Sequence, residues 1–406
     1  MRQSIYWAAA ILKWEYIYRG LCTVPAHIVS KNLIFGKYLY FENGKIISLT
    51  DEELPFDTEI DAKGKYVSAG FIDIHTHGAG NCDFLDNTEE AFFTAARVHA
   101  EHGATTVYPT CTSSSFSDTL KFVENVKSVI KENSPGKPHI AGSHLEGPYF
   151  SDAMKGAQNP SYIKAPVKEE YEEFYKAGEG TLKRISFAPE LSGSIEMCRF
   201  FKDKDVTLAF GHTDGIYEEI KPAIDEGCIL ATHLYSGMNT VTRRNLARKL
   251  GAVETAFLED TVFVEIICDG IHLPKELLRL IYKIKGESRI CLITDSMRGA
   301  GMPEGEYILG AKNDGLLCVS DGNIAYLTDK SAYAGSVATA DRLLRVAVNE
   351  AKIPLCSAVK MLTTVPAKVM NLKKRGEIKK GYFADLVFFD EDLNIKKIII
   401  EGKDLK

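Results

Sequence analysis

Eight short apolar runs punctuate the chain between residues 71 and 295, separated by longer amphipathic stretches. They are Phe71–His77, Thr105–Thr110, His139–Glu146, Arg184–Glu190, Val206–His212, Cys228–Tyr235, Val262–Asp269 and Arg289–Asp295. Each has the length and near-continuous apolarity of a strand covered on both faces. The stretches between them carry helix signals. TEEAFFTAARVHAEHG opens at Thr88, a capping residue type, and stops at Gly103. FSDTLKFVENVKSVIKEN, GSIEMCRFFKDKD and LPKELLRLIYKIKG read the same way. Eight strand–helix units over about 290 residues predict an α/β fold, a TIM-like (β/α)8 barrel. The competing architecture is an open doubly wound sheet, but no glycine fingerprint of the dinucleotide kind follows a strand here.

The two flanks have a different texture. IVSKNLIFGKYLYFENGKIISLT alternates and carries Asn43-Gly44, a hairpin signal. The closing GEIKKGYFADLVFFDEDLNIKKIIIEGKDL returns to short β-rich runs. The expected organisation is therefore a small β-sandwich domain built from both chain ends (residues 28–69 plus 374–406) around a catalytic barrel of residues 70–373. Residues 1–27 read as an N-terminal extension, helical or disordered, with no assigned role. Its apolar stretch Ile5–Leu12 is short and is followed at once by Lys13 and Glu15, so it makes a poor export signal.

Composition narrows the class. The 406 residues are 45% hydrophobic and 26% charged, with a net charge of −6, which leaves no basic footprint for nucleic acid. No apolar run reaches the length of a membrane span. Nine cysteines occur without a Cys-x-x-Cys pair, an odd number that fits reduced thiols and a cytoplasmic location.

In a barrel of this kind the active site forms at the carboxyl ends of the strands. The residues that end the runs are therefore informative. The first run ends in His75 and His77, two positions apart, which in a strand point to one side. The third ends at Glu146, the fifth at His212, the sixth carries His233 and the eighth ends at Asp295. Histidines and carboxylates from five strand ends converge on one rim. Such donors suit a divalent metal, Zn²⁺ or Fe²⁺, and leave open positions for catalysis, unlike a cysteine-rich structural site. Asp295 is placed to take a proton from water and return it to a leaving group, so the pattern reads as metal-assisted hydrolysis.

The segments GFIDIHTHG, HLEGPY, KGAQNP, FGHTD, THLYSGM, DGIHLP, ITDSM, YAGSVATADR and GYFADLVFFD together resemble the amidohydrolase superfamily. Within it, the chain is similar to the N-acetylglucosamine-6-phosphate deacetylases, from about residue 28 to the C-terminus. The resemblance implies a principal metal held by Glu146, His212 and His233, a second on His75 and His77, and Asp295 as the catalytic acid–base. It implies one or two ions per subunit. It also implies substrate contacts from Arg244, His272, Gln158, Ser236 and Gly237, with the phosphate site completed across a homodimer, so that Arg244 serves its own or the neighbouring subunit.

Two departures stand out against that family. It commonly has Asn-Ala at Ser236-Gly237 and histidine at Gln158, so the identity of the sugar is open. Other residues have plainer readings: His144 as a packed or supporting residue, His99 and His102 as surface residues near a helix end, and Asp73 as a structural acceptor. Arg243 competes with Arg244 for the phosphate.

The activity implied is metal-dependent deacetylation of N-acetyl-D-glucosamine 6-phosphate to glucosamine 6-phosphate and acetate. The alternatives are the N-acetylgalactosamine 6-phosphate reaction, another amide hydrolysis within the superfamily, and a catalytically silent barrel scaffold.

Overall fold

The computed structural model describes residues 19–23, 27–30, 33–35, 38–62 and 65–406. Eight parallel strand positions form the barrel. We label them β1 (Phe71–Thr76), β2 (Ala104–Cys111), β3 (Ser143–Glu146), β4 (Leu182–Phe187), β5 (Thr207–Phe210), β6 (Cys228–Ala231), β7 (Phe263–Ile267) and β8 (Ile290–Ile293). They pair in sequence order. The Asp295 amide donates to the His75 carbonyl at 2.9 Å and brings the end of β8 against β1.

Seven helices follow β1 to β7 in turn: Glu89–Glu101, Phe116–Val129, Lys168–Gly178, Ser194–Phe201, Tyr217–Asp225, Ala252–Leu258 and Lys275–Lys285. The first is capped as expected, with Thr88 Oγ1 accepting from the Ala91 amide at 3.2 Å. The apolar stripes of these helices and the outward side chains of the strands share one buried cluster that includes Phe71, Phe92, Phe122, Phe174, Ile185, Phe187 and Leu208.

Three features differ from the sequence reading. The run His139–Glu146 is not one strand but two pieces, His139–Ile140 and Ser143–Glu146, both pairing with β2. The N-terminal boundary at residue 27 also moves. Arg19–Thr23 forms a strand between Tyr38–Glu42 and Thr58–Asp61, and another strand begins at His27. Residues 1–18 of the expected extension lie outside the described residues.

The third difference follows β8. An antiparallel sheet of Gly305–Leu309, Leu316–Ser320, Ile324–Leu327 and Tyr333–Ser336 occupies a stretch outside the eight apolar runs. Its signal was present in the alternation around Asp321-Gly322. The sheet packs on Met297, just beyond β8, through Leu309, Cys318, Ala325 and Ala334. It thereby stands beside the barrel mouth.

The chain ends do pair with each other. Leu386–Phe389 runs antiparallel to Tyr66–Ala69 in a sheet that also holds Ile395–Ile400 and His27–Val29. That sheet and the one containing Tyr38–Glu42 enclose Ile28, Leu39, Phe41, Ile46, Val67, Leu386, Phe388 and Ile399. Gly70 marks the passage from this small domain to β1. A Cβ there would fall 2.0 Å from Thr105 Oγ1, so the two segments touch only because the residue is glycine.

Arg375 fastens the small domain to the barrel. It is buried, its guanidinium binds Asp385 and Glu401, and it donates to His139 Nδ1 at 3.4 Å. Burial and the nearby Arg375 push the His139 imidazole down to about 3, which keeps it a neutral acceptor. Arg375→Met leaves carboxylates buried without their counter-ion and should cost about 3–5 kcal/mol in urea unfolding; a loss below about 1 kcal/mol would contradict this role.

Candidate active site

At the carboxyl rim the strand-end residues meet. Glu146, at the end of β3, lies at the centre. Its Oε1 is 2.8 Å from His233 Nε2 and 3.4 Å from both His212 Nε2 and His75 Nε2. Its Oε2 is 3.4 Å from His77 Nε2 and accepts from Gln158 Nε2 at 2.7 Å. Asp295 Oδ1 lies 3.0 Å from His77 Nε2 and 3.4 Å from His75 Nε2. All six side chains are nearly fully buried.

The imidazoles are aimed by their far nitrogens. Nδ1 of His212 faces the Met154 carbonyl at 2.8 Å, that of His233 the Ser236 carbonyl at 3.1 Å, and that of His77 the Thr110 carbonyl at 3.3 Å. If each of these nitrogens carries the proton, Nε2 is left free to ligate. The backbone helps as well. His212, His233 and Asp295 adopt left-handed conformations, with φ of 45°, 29° and 47°, where the strands turn into their loops. Such geometry is unfavourable for residues with a Cβ and gathers at functional sites.

The electrostatics fit a cation. Burial opposes ionisation of Glu146, but His75 and the hydrogen-bonding imidazoles outweigh it and hold its carboxyl well below the usual range. Asp295 is likewise buried, and His75 and His77 hold it below its ordinary value. Burial also opposes a charge on His75, yet Asp295 and Glu146 raise it to about 10. His75 Nε2 nonetheless makes no hydrogen bond. Three donor sets bring their ligand atoms within 4.8 Å of one another: Glu146 with His212 and His233, His75 with His77 and Glu146, and His75 with His233 and Asp295. This arrangement could hold a divalent metal.

A cleft opens above the cluster. Its walls include Gln158, Ser236, Gly237 and His272, along with Leu309 and Tyr333 from the added sheet. His272 Nδ1 pairs with Asp269 Oδ2 at 2.8 Å, and its ring lies 4.9 Å from that of Tyr333. Gln158 is turned toward the cluster. Its Oε1 accepts from the Ser113 amide at 2.7 Å while its amide nitrogen holds Glu146. Arg244 is not in this cleft. It sits on a hairpin, Thr242–Arg244 with Ala247–Lys249, and its Nη1 pairs with Glu219 at 2.9 Å. Neighbouring Arg243 is exposed on the same hairpin.

The expectation for His99 is corrected. It is fully buried, not a surface residue, and its Nε2 lies 2.8 Å from Thr76 Oγ1 and 3.1 Å from Ser296 Oγ. It thus ties the residue between His75 and His77 to the one after Asp295. His102 is partly exposed and pairs with Asp341 at 3.2 Å. Asp73 acts as a structural acceptor for the Thr294 hydroxyl and the His75 amide. His144 is packed between Thr110 Oγ1 and Ser186 Oγ, at 3.1 and 2.8 Å. Tyr333, Arg184 and Glu265 receive no functional role from the sequence. A lone polar residue within an apolar run announces no partner until the barrel closes.

Gly237 has a steric reason. It has φ of 56°, and a Cβ would stand 2.6 Å from His212 Nδ1 and 2.9 Å from the Met154 carbonyl, breaking into the contact that aims His212. Gly237→Ala should weaken zinc binding by about 10–100-fold in chelator competition; unchanged affinity would show that His212 needs no such support.

Comparison with known proteins places this geometry. An amidohydrolase family model matches residues 66–405. The N-acetylglucosamine-6-phosphate deacetylase of Lysinibacillus sphaericus is 30% identical over 345 residues, covering 85% of this chain and 87% of that protein. The N-acetylgalactosamine-6-phosphate deacetylase of Escherichia coli O157:H7 is 27% identical over 351 residues, covering 85% and 89%. A solved structure of a Mycobacterium smegmatis N-acetyl-D-glucosamine-6-phosphate deacetylase variant, in complex with N-acetyl-D-glucosamine-6-phosphate, superposes with a TM-score of 0.87 at 28% identity. It covers 96% of this chain and 99% of that one. The chain that carries this rim of histidines and carboxylates belongs to the amidohydrolase family.

Proposed function

We propose that the protein is a metal-dependent deacetylase that hydrolyses the acetamide of N-acetyl-D-glucosamine 6-phosphate to D-glucosamine 6-phosphate and acetate. The observation that carries the reading is the meeting of Glu146, His212 and His233, with Asp295 beside them, beneath an open cleft. The activities named for the similar proteins support the same reaction.

Glu146, His212 and His233 would hold the principal ion, Zn²⁺ or Fe²⁺. His75 and His77, together with Glu146, would hold a second; Glu146 Oε2 faces His77, while Oε1 is shared among His75, His212 and His233. A divalent ion there supplies charge that polarises the acetamide carbonyl and acidifies water. The chain's own groups do the rest. Asp295, ionised and lining the cleft, accepts the proton of the attacking water at a carboxylate oxygen. It then returns that proton to the departing amine, which leaves poorly as an anion. His272, fixed by Asp269, stands in the cleft wall to orient the sugar or its carbonyl oxygen.

The phosphate reading draws on the hairpin. Leu246 at its tip is 95% exposed, and Arg244 lies outside the cleft of its own chain. A homodimer in which the hairpin crosses to the neighbouring subunit would bring that guanidinium to the sugar phosphate, where its fork suits two phosphate oxygens. The enzyme would act in the cytoplasm. Among the described residues, no helix is long and apolar enough to cross a membrane.

Two experiments test the reading. Acetate release is measured from N-acetylglucosamine 6-phosphate, its galacto epimer and both unphosphorylated sugars. Turnover is expected on the gluco phosphate, with little on the free sugars; preference for the galacto phosphate would reassign the substrate, and no acetate from any would overturn the reaction. Asp295→Asn should lower kcat by about 10²–10⁴-fold while metal and substrate still bind; near-normal turnover would remove Asp295 from its role.

A further inference from the structure

A buried ion pair crosses the barrel interior below the site, and the chemistry above does not use it. Arg184 on β4 and Glu265 on β7 are both fully buried and come from strands that are not neighbours. One guanidinium nitrogen binds Glu265 Oε1, and the other donates to Oε2 at 2.8 Å. Arg184 also reaches the Ile74 carbonyl and Thr232 Oγ1, each at 3.1 Å. Burying two charges seldom adds net stability, because lost hydration offsets their attraction. The contacts of Glu265 point to another use. Its Oε2 lies 3.3 Å from His75 Nδ1 and accepts from the His233 backbone N–H at 3.3 Å. His75 Nε2, on the far side of the same ring, makes no hydrogen bond and lies 3.4 Å from oxygens of Glu146 and Asp295.

We propose that Glu265, pinned by Arg184, is a positioning residue that keeps the His75 proton on Nδ1 and so presents Nε2 as a ligand to a divalent ion held together with His77 and Glu146. An imidazole that ligates through one nitrogen is oriented, and made more basic, by a carboxylate on the other. Arg184 occupies both Glu265 oxygens and balances their charge. Glu265 therefore remains an acceptor and is held back from the ion itself. The inference rests on the reading of the cluster as a metal centre.

The test compares two double variants that both remove the ion pair. Arg184→Met with Glu265→Leu has no acceptor for Nδ1; Arg184→Met with Glu265→Gln keeps one. Zinc bound per chain is measured by mass spectrometry across a series of chelator-buffered zinc concentrations, with metal-free melting curves alongside. We expect the two to melt within a few degrees of each other. The leucine form should bind zinc on the His75 side about 10–100-fold more weakly than the unaltered protein, with most of that loss recovered in the glutamine form. Unaltered zinc binding in both, or equal loss in both, would overturn the proposal.

Nitrogen NMR of the unaltered, zinc-loaded protein gives a check that misfolding cannot mask. The His75 proton should lie on Nδ1, and a proton on Nε2 would overturn the assignment. An unaltered protein that binds no zinc would remove the metal reading and this inference together. One that binds zinc as expected but releases no acetate would overturn the reaction alone.

Discussion

The carboxylate of Glu146 touches five polar groups: the imidazoles of His75, His77, His212 and His233, and the Gln158 amide, all within 3.4 Å. These histidines stand at the ends of three other strands, β1, β5 and β6. A negative charge buried this deeply is unfavourable unless cations and donors surround it. His75 and His77 meet that need as protonated groups when no metal is bound, and a divalent ion would meet it when one is. Proton and metal therefore compete for the same nitrogen atoms. The site is built around an anion, and the rest of the barrel sets the anion's neighbours.

The barrel supplies that setting by ending its strands where the histidines and carboxylates begin. His212, His233 and Asp295 take left-handed backbone conformations just past β5, β6 and β8. Each such conformation costs on the order of 1–3 kcal/mol, offset by surrounding structure that leaves no alternative. Here that structure includes backbone acceptors for the histidine rings, the close approach allowed by Gly237, and the Thr76–His99–Ser296 contact that joins β1 to β8. The small domain contributes at a distance by holding the amino end of the barrel through Arg375.

Much of this was legible in the sequence. Buried parallel strands read as apolar runs, and their carboxyl ends carry polar residues that stand out against them, so the barrel and the convergence of His75, His77, Glu146, His212, His233 and Asp295 could be inferred together. Other features depend on contacts between residues far apart in the chain. His99 occupies a helical pattern near the helix end, where a surface histidine is ordinary, yet its ring is buried against Thr76 and Ser296. Arg184 and Glu265 are separated by 81 positions, and neither explains the other until the strands close. The sheet of residues 305–336 is partly exposed and short-stranded, so its alternation was weak beside the buried runs. Arg244 shows the opposite limit. Its motif is legible, but its place outside the cleft follows from the projection of a hairpin.

The central claim is that a divalent ion in this cluster drives amide hydrolysis. The most direct test is to strip the protein with chelator, return Zn²⁺ or Fe²⁺ in measured steps, and follow bound metal and acetate release from N-acetylglucosamine 6-phosphate on the same samples. The account predicts negligible release from the stripped protein and a rate that rises with bound metal until one or two ions are present per chain. Acetate release that is independent of bound metal would contradict it.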